Sequence, residues 1–587
     1  MMGTISDKLM RIINTKEDIR QALISKGYDV PTSIPFKEYA KMISDLPCRV
    51  DSFPDIEGIV ARYSALGLTN EQMAANPVWV DKTGNGHDLQ MKNFAWKEGS
   101  GISDIYPGAL VFDGVDDWAG CDNLPLLPKE KGYSIIALRN WITRYDATQY
   151  KRPLISNLDT NDEGAFLIEY RKDENVNDVT GSYNSFTDVY IDGNNPITWQ
   201  TSSSYNGQII KKGTSKSSNK LCICKTYFGQ LSNYANAAIW EIVILDHDAT
   251  EEELTKIKDY FVKTYPWLFF DQAWTVTGKT NEDEDRATIA NITGNDNDLV
   301  LSNFGFAEGS GYGLYAENYA GGRWVQSTDR ADLTWTSYSV NITSVKVAST
   351  QLYYQSYPEQ PSFTVPSYKI KVYGLKDGQT LSYKQVTSEG QQIYKISEDG
   401  TYTLPSFPFK ANGDWYGFTL DKKQETCDIT IEQIPEYEGY LVTDGVDDKV
   451  QSSSFTMNED WTIIGDWELL SNVQINCGIV KAQNVYLYNI ANGLLISINN
   501  PRSLQSFGTK SLHAICSDGR LYDRNWVEYE YTVDQNFAIV ESSLNIGFNL
   551  NNYTQIAFKN LGIYNNQILS KDDCIKAYNY LQTLKAK

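Results

Sequence analysis

One pentapeptide, Asp-Gly-Val-Asp-Asp, occurs twice in this 587-residue chain, at Asp113 to Asp117 and at Asp444 to Asp448. Each copy follows a short apolar run, Ala109 to Phe112 and Tyr440 to Val442, and precedes another strand-like stretch. The pattern predicts strand, Asp-Gly turn, strand, closed as a hairpin. A second matched pair lies upstream. Thr83-Gly84-Asn85 with Asp88-Leu89 is echoed by Thr293-Gly294-Asn295 with Asp298-Leu299. Asn93-Phe94 then matches Asn303-Phe304, and Glu98-Gly99-Ser100-Gly101 matches Glu308-Gly309-Ser310-Gly311. A frame repeated in this order requires two related domains.

The spacing inside the frame differs between copies. Thr83 precedes Asp113 by 30 positions, whereas Thr293 precedes Asp444 by 151. The second copy therefore carries about 121 extra residues, a domain-sized insertion in a loop. The insertion has strand alternation of its own, as in Ser367 to Tyr373, and is expected to form an immunoglobulin-like sandwich. Both copies close alike, with a last strand and a capped helix. Thr250 precedes Glu251, Glu252 and Glu253, and Ser570 precedes Asp572 and Asp573. The expected division is 1–50 helical, 51–268 first sandwich, 269–325 with 437–587 second sandwich, and 326–436 insert. Tyrosine-rich composition with aromatics at 13% fits short strands and a mainly β fold.

A net charge of −22 argues against phosphate-backbone binding, so no nucleic acid is expected as partner. No apolar run is long enough for a membrane span, and residues 1–10 lack the apolar core of a signal peptide. Assembly in a cytoplasm is the expectation. The eight cysteines are dispersed and read as reduced thiols; Cys222 and Cys224 read as two small side chains on one strand face rather than a metal half-site.

Three kinds of candidate site stand out. Asp113, Asp116 and Asp117, with their twins Asp444, Asp447 and Asp448, are hard oxygen ligands that could take Ca²⁺. The competing reading, favoured by the residue pattern, is a turn whose Asp side chains satisfy local N–H groups. No other cofactor is implied. Trp96, Trp118, Tyr312, Tyr315 and Trp324, with Trp199, Tyr205 and Tyr319, lie near Gly/Ser/Asn-rich stretches and could stack on sugar rings. In the N-terminal segment, Leu9, Ile12, Ile19 and Leu23 recur at helical spacing and Tyr39 lies on a second, shorter helix, an apolar face for docking that two short helices cannot bury alone. Asn281 to Asp285 reads as a solvated charge run. His87, His247 and His513 sit in unrelated contexts, and no Ser/His/Asp set is legible, so no enzyme is expected.

The segment containing Lys16, Ile19, Arg20, Ala22, Lys26, Gly27, Phe36, Tyr39 and Ile43 resembles an N-terminal module of bacteriophage tail and other virion proteins. The sandwich frame, from Thr-Gly-Asn through Phe112-Asp-Gly-Val-Asp-Asp to the Glu-rich helix start, resembles the concanavalin A-like, or laminin-G-like, jelly roll. The insert resembles insertions in virion proteins of crAss-like phages of Bacteroides-type bacteria. These resemblances imply a virion fibre or appendage protein, docked by its N-terminus to other virion proteins. They imply a homo-oligomer that presents lectin-like domains to host-surface glycans. A purely structural decoration protein and a glycan depolymerase are the alternatives.

Overall fold

The computed structural model describes residues 53–127, 133–143, 151–159, 167–171, 185–187, 197–201, 218–228, 233–247, 249–307, 309–321, 323–326, 329–355, 362–376, 378–410, 413–470, 478–482, 485–490, 493–498, 505–507, 511–530, 541–546, 548–549 and 552–586. The attachment face from Leu9 to Tyr39 lies outside them, as does Tyr205; of Trp199 the backbone alone is described.

The chain is mainly β and divides into two compact units. The first includes residues 53–57 and helix Glu251–Thr264. Thr250 and Glu253 form a capping box: Thr250 Oγ1 accepts from Glu253 N at 3.2 Å, and Glu253 Oε2 accepts from Thr250 N at 2.8 Å. Ile257, Tyr260 and Phe261 are the buried stripe, and the Phe53 ring meets Tyr260 edge-on at 4.9 Å.

The second unit, 58–249 and 265–587, holds three two-layer sandwiches. In the first, one sheet runs Ile197–Thr201, Ser134–Thr143, Asn236–Leu245, Leu110–Asp113, Gly101–Ile102, with Ile59–Ser64 also on Asn236–Leu245. The other contains Lys151–Ser156, Leu221–Ile223, Trp118–Cys121, Leu89–Lys92 and Val78–Trp79. Phe112, Ile135 and Ile239 of one sheet pack with Leu89, Ile155 and Leu221 of the other. The alternation of Leu89–Lys92, buried then exposed, shows why: a half-buried strand places every second side chain in the core.

The second sandwich repeats this plan. Gln272–Thr275 takes the place of Ile59–Ser64, and the ten-residue strand Ile556–Asn565 the place of Asn236–Leu245. Its core joins Trp274, Ile463 and Leu561 to Leu299, Val450 and Ile546. Helix Lys571–Thr583 closes it, with Ser570 Oγ accepting from Asp573 N at 3.2 Å. Between Leu314 and Glu436 lies the insert, two five-stranded antiparallel sheets around Val340, Ile370, Ile431, Tyr383, Tyr416 and Phe418.

The hairpin expected at each Asp-Gly-Val-Asp-Asp does not form. Leu110–Asp113 pairs with Asn236–Leu245 in one sheet, whereas Trp118–Cys121 pairs with Leu89–Lys92 and Leu221–Ile223 in the other. Glu436–Val442 and Lys449–Thr456 are parted in the same way. The pentapeptide is therefore a corner that carries the chain from one layer to the next. A two-residue Asp-Gly loop would return the chain beside itself; here three further residues intervene, and the opening aspartate folds them back.

Candidate functional site

The corner is built by its own aspartates. Asp113 Oδ1 accepts from the backbone N–H of Val115 at 2.8 Å, Asp116 at 3.2 Å and Asp117 at 3.3 Å. Asp117 Oδ2 returns to accept from Asp113 N at 3.1 Å. Asp444 and Asp448 repeat each bond, with Val446 N at 2.7 Å and Asp444 N at 2.7 Å. Gly114 has φ +77°, and a β-carbon there would lie 2.8 Å from Asn236 Cβ, so glycine is required.

A second loop braces the corner from outside. Asn93 Nδ2 donates to Asp116 O at 2.9 Å, and Asn303 Nδ2 to Asp447 O at 3.0 Å. Asn70 Oδ1 accepts from Ile102 N at 2.7 Å, and Asn281 Oδ1 from Tyr312 N at 2.7 Å. Asn281 is thus a buried scaffold residue and not part of a solvated charge run. Its match to Asn70 was visible in the sequence as Thr69-Asn70-Glu71 against Thr280-Asn281-Glu282. The Thr-Gly-Asn loops are scaffold too. Asp81 Oδ1 accepts from Thr83 N at 3.0 Å, and its counterpart Asn291 Oδ1 accepts from Thr293 N at 3.0 Å.

Each acidic trio is brought together, one oxygen from every carboxylate lying within 4.8 Å of the others. Much of its bonding capacity is committed to the corner. Asp117 and Asp448 are buried, and Oδ1 of each has no hydrogen-bond partner. Loss of water pushes the Asp117 carboxyl up to about 6 and that of Asp448 up to about 7, while the backbone N–H and a nearby serine, Ser100 or Ser310, hold both down in part. Cys222 and Cys224 are buried, and burial raises both thiols, the reverse of a metal-ligating thiolate.

The aromatic candidates separate. Tyr312, Tyr319 and Trp324 are core residues, not surface platforms. Tyr312 OH donates to Arg286 O at 2.7 Å, and Trp324 Nε1 to the buried carboxylate of Glu317 at 3.1 Å. They lie in glycine-rich stretches because the backbone turns there, while their rings fill the layers behind. Trp96 and Trp118 are half-buried. The Phe94 ring stacks on Trp96 at 4.9 Å, and Lys225 Nζ sits 4.0 Å from the Trp118 ring centroid. Tyr315 differs. It stacks on Tyr338 at 5.1 Å and lines a cleft of about 650 Å³.

That cleft sits where the chain leaves the second sandwich for the insert and returns. Tyr312 pairs with Leu441, but Leu314 pairs with Glu436, so residues 437–440 bulge out opposite Gly313. Tyr437 at φ +56° and Gly439 at φ +78° make the bulge. Gln433 clamps the two crossings: its Oε1 accepts from Glu317 N at 3.1 Å and its Nε2 donates to Glu317 O at 2.9 Å. Around Tyr315 stand Glu436, Glu438, Lys369, Ser367 and Thr403. Burial, then the Tyr338 hydroxyl and the carboxylates of Glu432, Glu282 and Glu438, raise the Tyr315 phenol, which stays a neutral donor. A half-buried ring flanked by hydroxyl, carboxylate and ammonium groups offers one apolar face and several hydrogen-bonding groups to a ligand.

No protein-family model matches the chain, and no curated protein does. Among solved structures, the Trypanosoma rangeli sialidase in complex with sialic acid is similar at 8% identity and a TM-score of 0.20, over 50% of this chain and 67% of that one. The binding domain of Botulinum neurotoxin serotype D is similar at 8% identity and a TM-score of 0.26, over 87% of this chain and 96% of its own. Likeness at that level carries no inference about this chain.

Proposed function

We propose that this chain is a non-enzymatic virion appendage protein of a bacteriophage, docked through its N-terminal segment and adhering to host-surface glycans. The observation that carries the adhesive reading is the Tyr315 cleft, an aromatic face flanked by hydroxyl, carboxylate and ammonium groups at a junction of two sandwiches. Sugars present one apolar ring face and a rim of hydroxyls, and this lining matches both. The virion assignment rests on the resemblance of the N-terminal segment. The non-enzymatic reading draws on the placement of the cleft's carboxylates. Glu436 and Glu438 come from one strand, whereas glycoside hydrolysis needs two carboxyl groups flanking the sugar.

A glycan array probed with the full chain tests the reading, with reducing-sugar release measured on every glycan that binds. Binding without release is the expected result. Release of sugar would make the chain a depolymerase. Silence across glycans from the host surface would leave the purely structural alternative.

A further inference from the structure

The insert carries a second aromatic site, on its outer face. Strands Thr350–Gln355 and Trp415–Leu420 are neighbours, with Gln355 opposite Trp415 and Tyr353 opposite Gly417. Leu352, Tyr354, Tyr416 and Phe418 point into the core, which leaves Tyr353 and Trp415 half-buried. Their rings meet edge to face at 6.1 Å and 72°, forming an open corner. A β-carbon at Gly417 would lie 2.2 Å from Leu352 O and 2.7 Å from Tyr353 Cβ, so glycine is needed for the strands to approach this closely.

The corner opens into a pocket of about 270 Å³ bounded by Arg330, Thr350 and Asp414. The acid in this wall is not available: Asp414 Oδ1 accepts from Ser388 N at 3.1 Å and Oδ2 from Lys410 N at 2.8 Å. The base is. Arg330 is exposed, and its Nη1 donates to Ser349 Oγ at 2.9 Å. Among the described residues no carboxylate lies within ion-pair distance of its guanidinium.

We propose that this pocket binds a carboxylate-bearing pyranose, a uronic or sialic acid unit of a surface glycan. The ring's C–H face packs on Trp415 and Tyr353, and the carboxylate takes the Arg330 guanidinium, whose planar donor fork fits it. The volume, just under the usual range of small-molecule sites, suits one sugar unit. The chain's net charge of −22 repels anions at a distance, but at physiological salt that repulsion fades beyond roughly 8 Å, so the local arginine governs.

The inference rests on the reading that the chain binds sugars and concerns a site separate from the Tyr315 cleft. Its test is calorimetric titration of the full chain with a glucuronic acid oligosaccharide, a sialylated trisaccharide and the matching neutral glucose oligosaccharide. At least one acidic sugar is expected to bind tenfold or more tighter than the neutral one, and which one names the source. Arg330→Gln, at an exposed position, is expected to erase that difference, and Trp415→Ala to abolish binding. Equal affinity for acidic and neutral sugars, wild-type binding by Arg330→Gln, or no acidic sugar binding would overturn it. Array binding lost in Tyr315→Ala alone would sustain the cleft reading regardless of this one.

Discussion

The buried aspartates of the two corners make stability depend on pH in an unusual direction. Asp117 and Asp448 each accept a backbone N–H, yet each leaves one oxygen dry and unbonded. Their carboxyls stand near 6 and 7 in the folded chain, raised from 3.8 first by burial and then by the Asp113 and Asp116 or Asp444 and Asp447 charges beside them. A carboxyl raised on folding favours the protonated native state. Its stabilising effect is complete below the unfolded value near 3.8 and is lost as pH rises through the folded value. At 1.36 kcal/mol per pH unit the loss is about 3 kcal/mol for Asp117 and about 4 kcal/mol for Asp448 by pH 8. Asparagine keeps an acceptor for the N–H and carries no charge. Asp117→Asn should therefore match the wild type near pH 4 and unfold at higher temperature at pH 8, with Asp448→Asn doing so in the second sandwich. Scanning calorimetry of the full chain from pH 4 to 8 follows both transitions. A variant with the wild-type slope, or one less stable at pH 8, would refute the burial argument. So would a wild-type midpoint raised by calcium at pH 7 and unmoved in the variant, since a bound cation would hold the carboxyl ionised.

Removing Glu241 should be severe. It is fully buried, pairs with Arg62 Nε at 2.5 Å and accepts from Tyr265 OH at 2.7 Å, so Glu241→Ala removes a buried carboxylate from a buried guanidinium and should cost about 3–5 kcal/mol in denaturant unfolding. Gly114→Ala forces a left-handed non-glycine residue against Asn236 and should cost at least 1–2 kcal/mol by the same measurement, roughly the left-handed penalty alone. Glu317→Ala leaves Tyr416 OH and Trp324 Nε1 without the carboxylate they share, which should loosen the insert by roughly 3 kcal/mol. Limited proteolysis should then cut the insert before either flanking sandwich.

The duplication could be read from residues because the repeated loops are held by side chains that have no substitute. Asp113 must capture three N–H groups, Gly114 must adopt a positive φ, and Asn93 must reach the corner, so these residues recur in order. The mainly β class followed from the same frame and from the alternating strands. Whether the corner returns or crosses was not legible, since strand pairing is settled by partners more than 100 residues away, such as Asn236 for Asp113. Three of the aromatic candidates, Tyr312, Tyr319 and Trp324, failed in an instructive way. Glycine-rich sequence marks a turning backbone, and says nothing of whether a neighbouring ring faces water. Tyr312 and Trp324 turn inward, and Tyr353 and Trp415 turn outward from strands whose alternate residues build the insert core. The Tyr315 cleft depends on a bulge at residues 437–440 and on the meeting of two chain crossings, which no local pattern encodes.

The adhesive reading is tested most directly by one titration: the full chain against a neutral glycan selected on the array, with wild type and Tyr315→Ala compared by calorimetry and both folds checked by circular dichroism. The account predicts at least a tenfold loss of affinity in the variant with an unchanged spectrum. Equal affinity in the two proteins would contradict it.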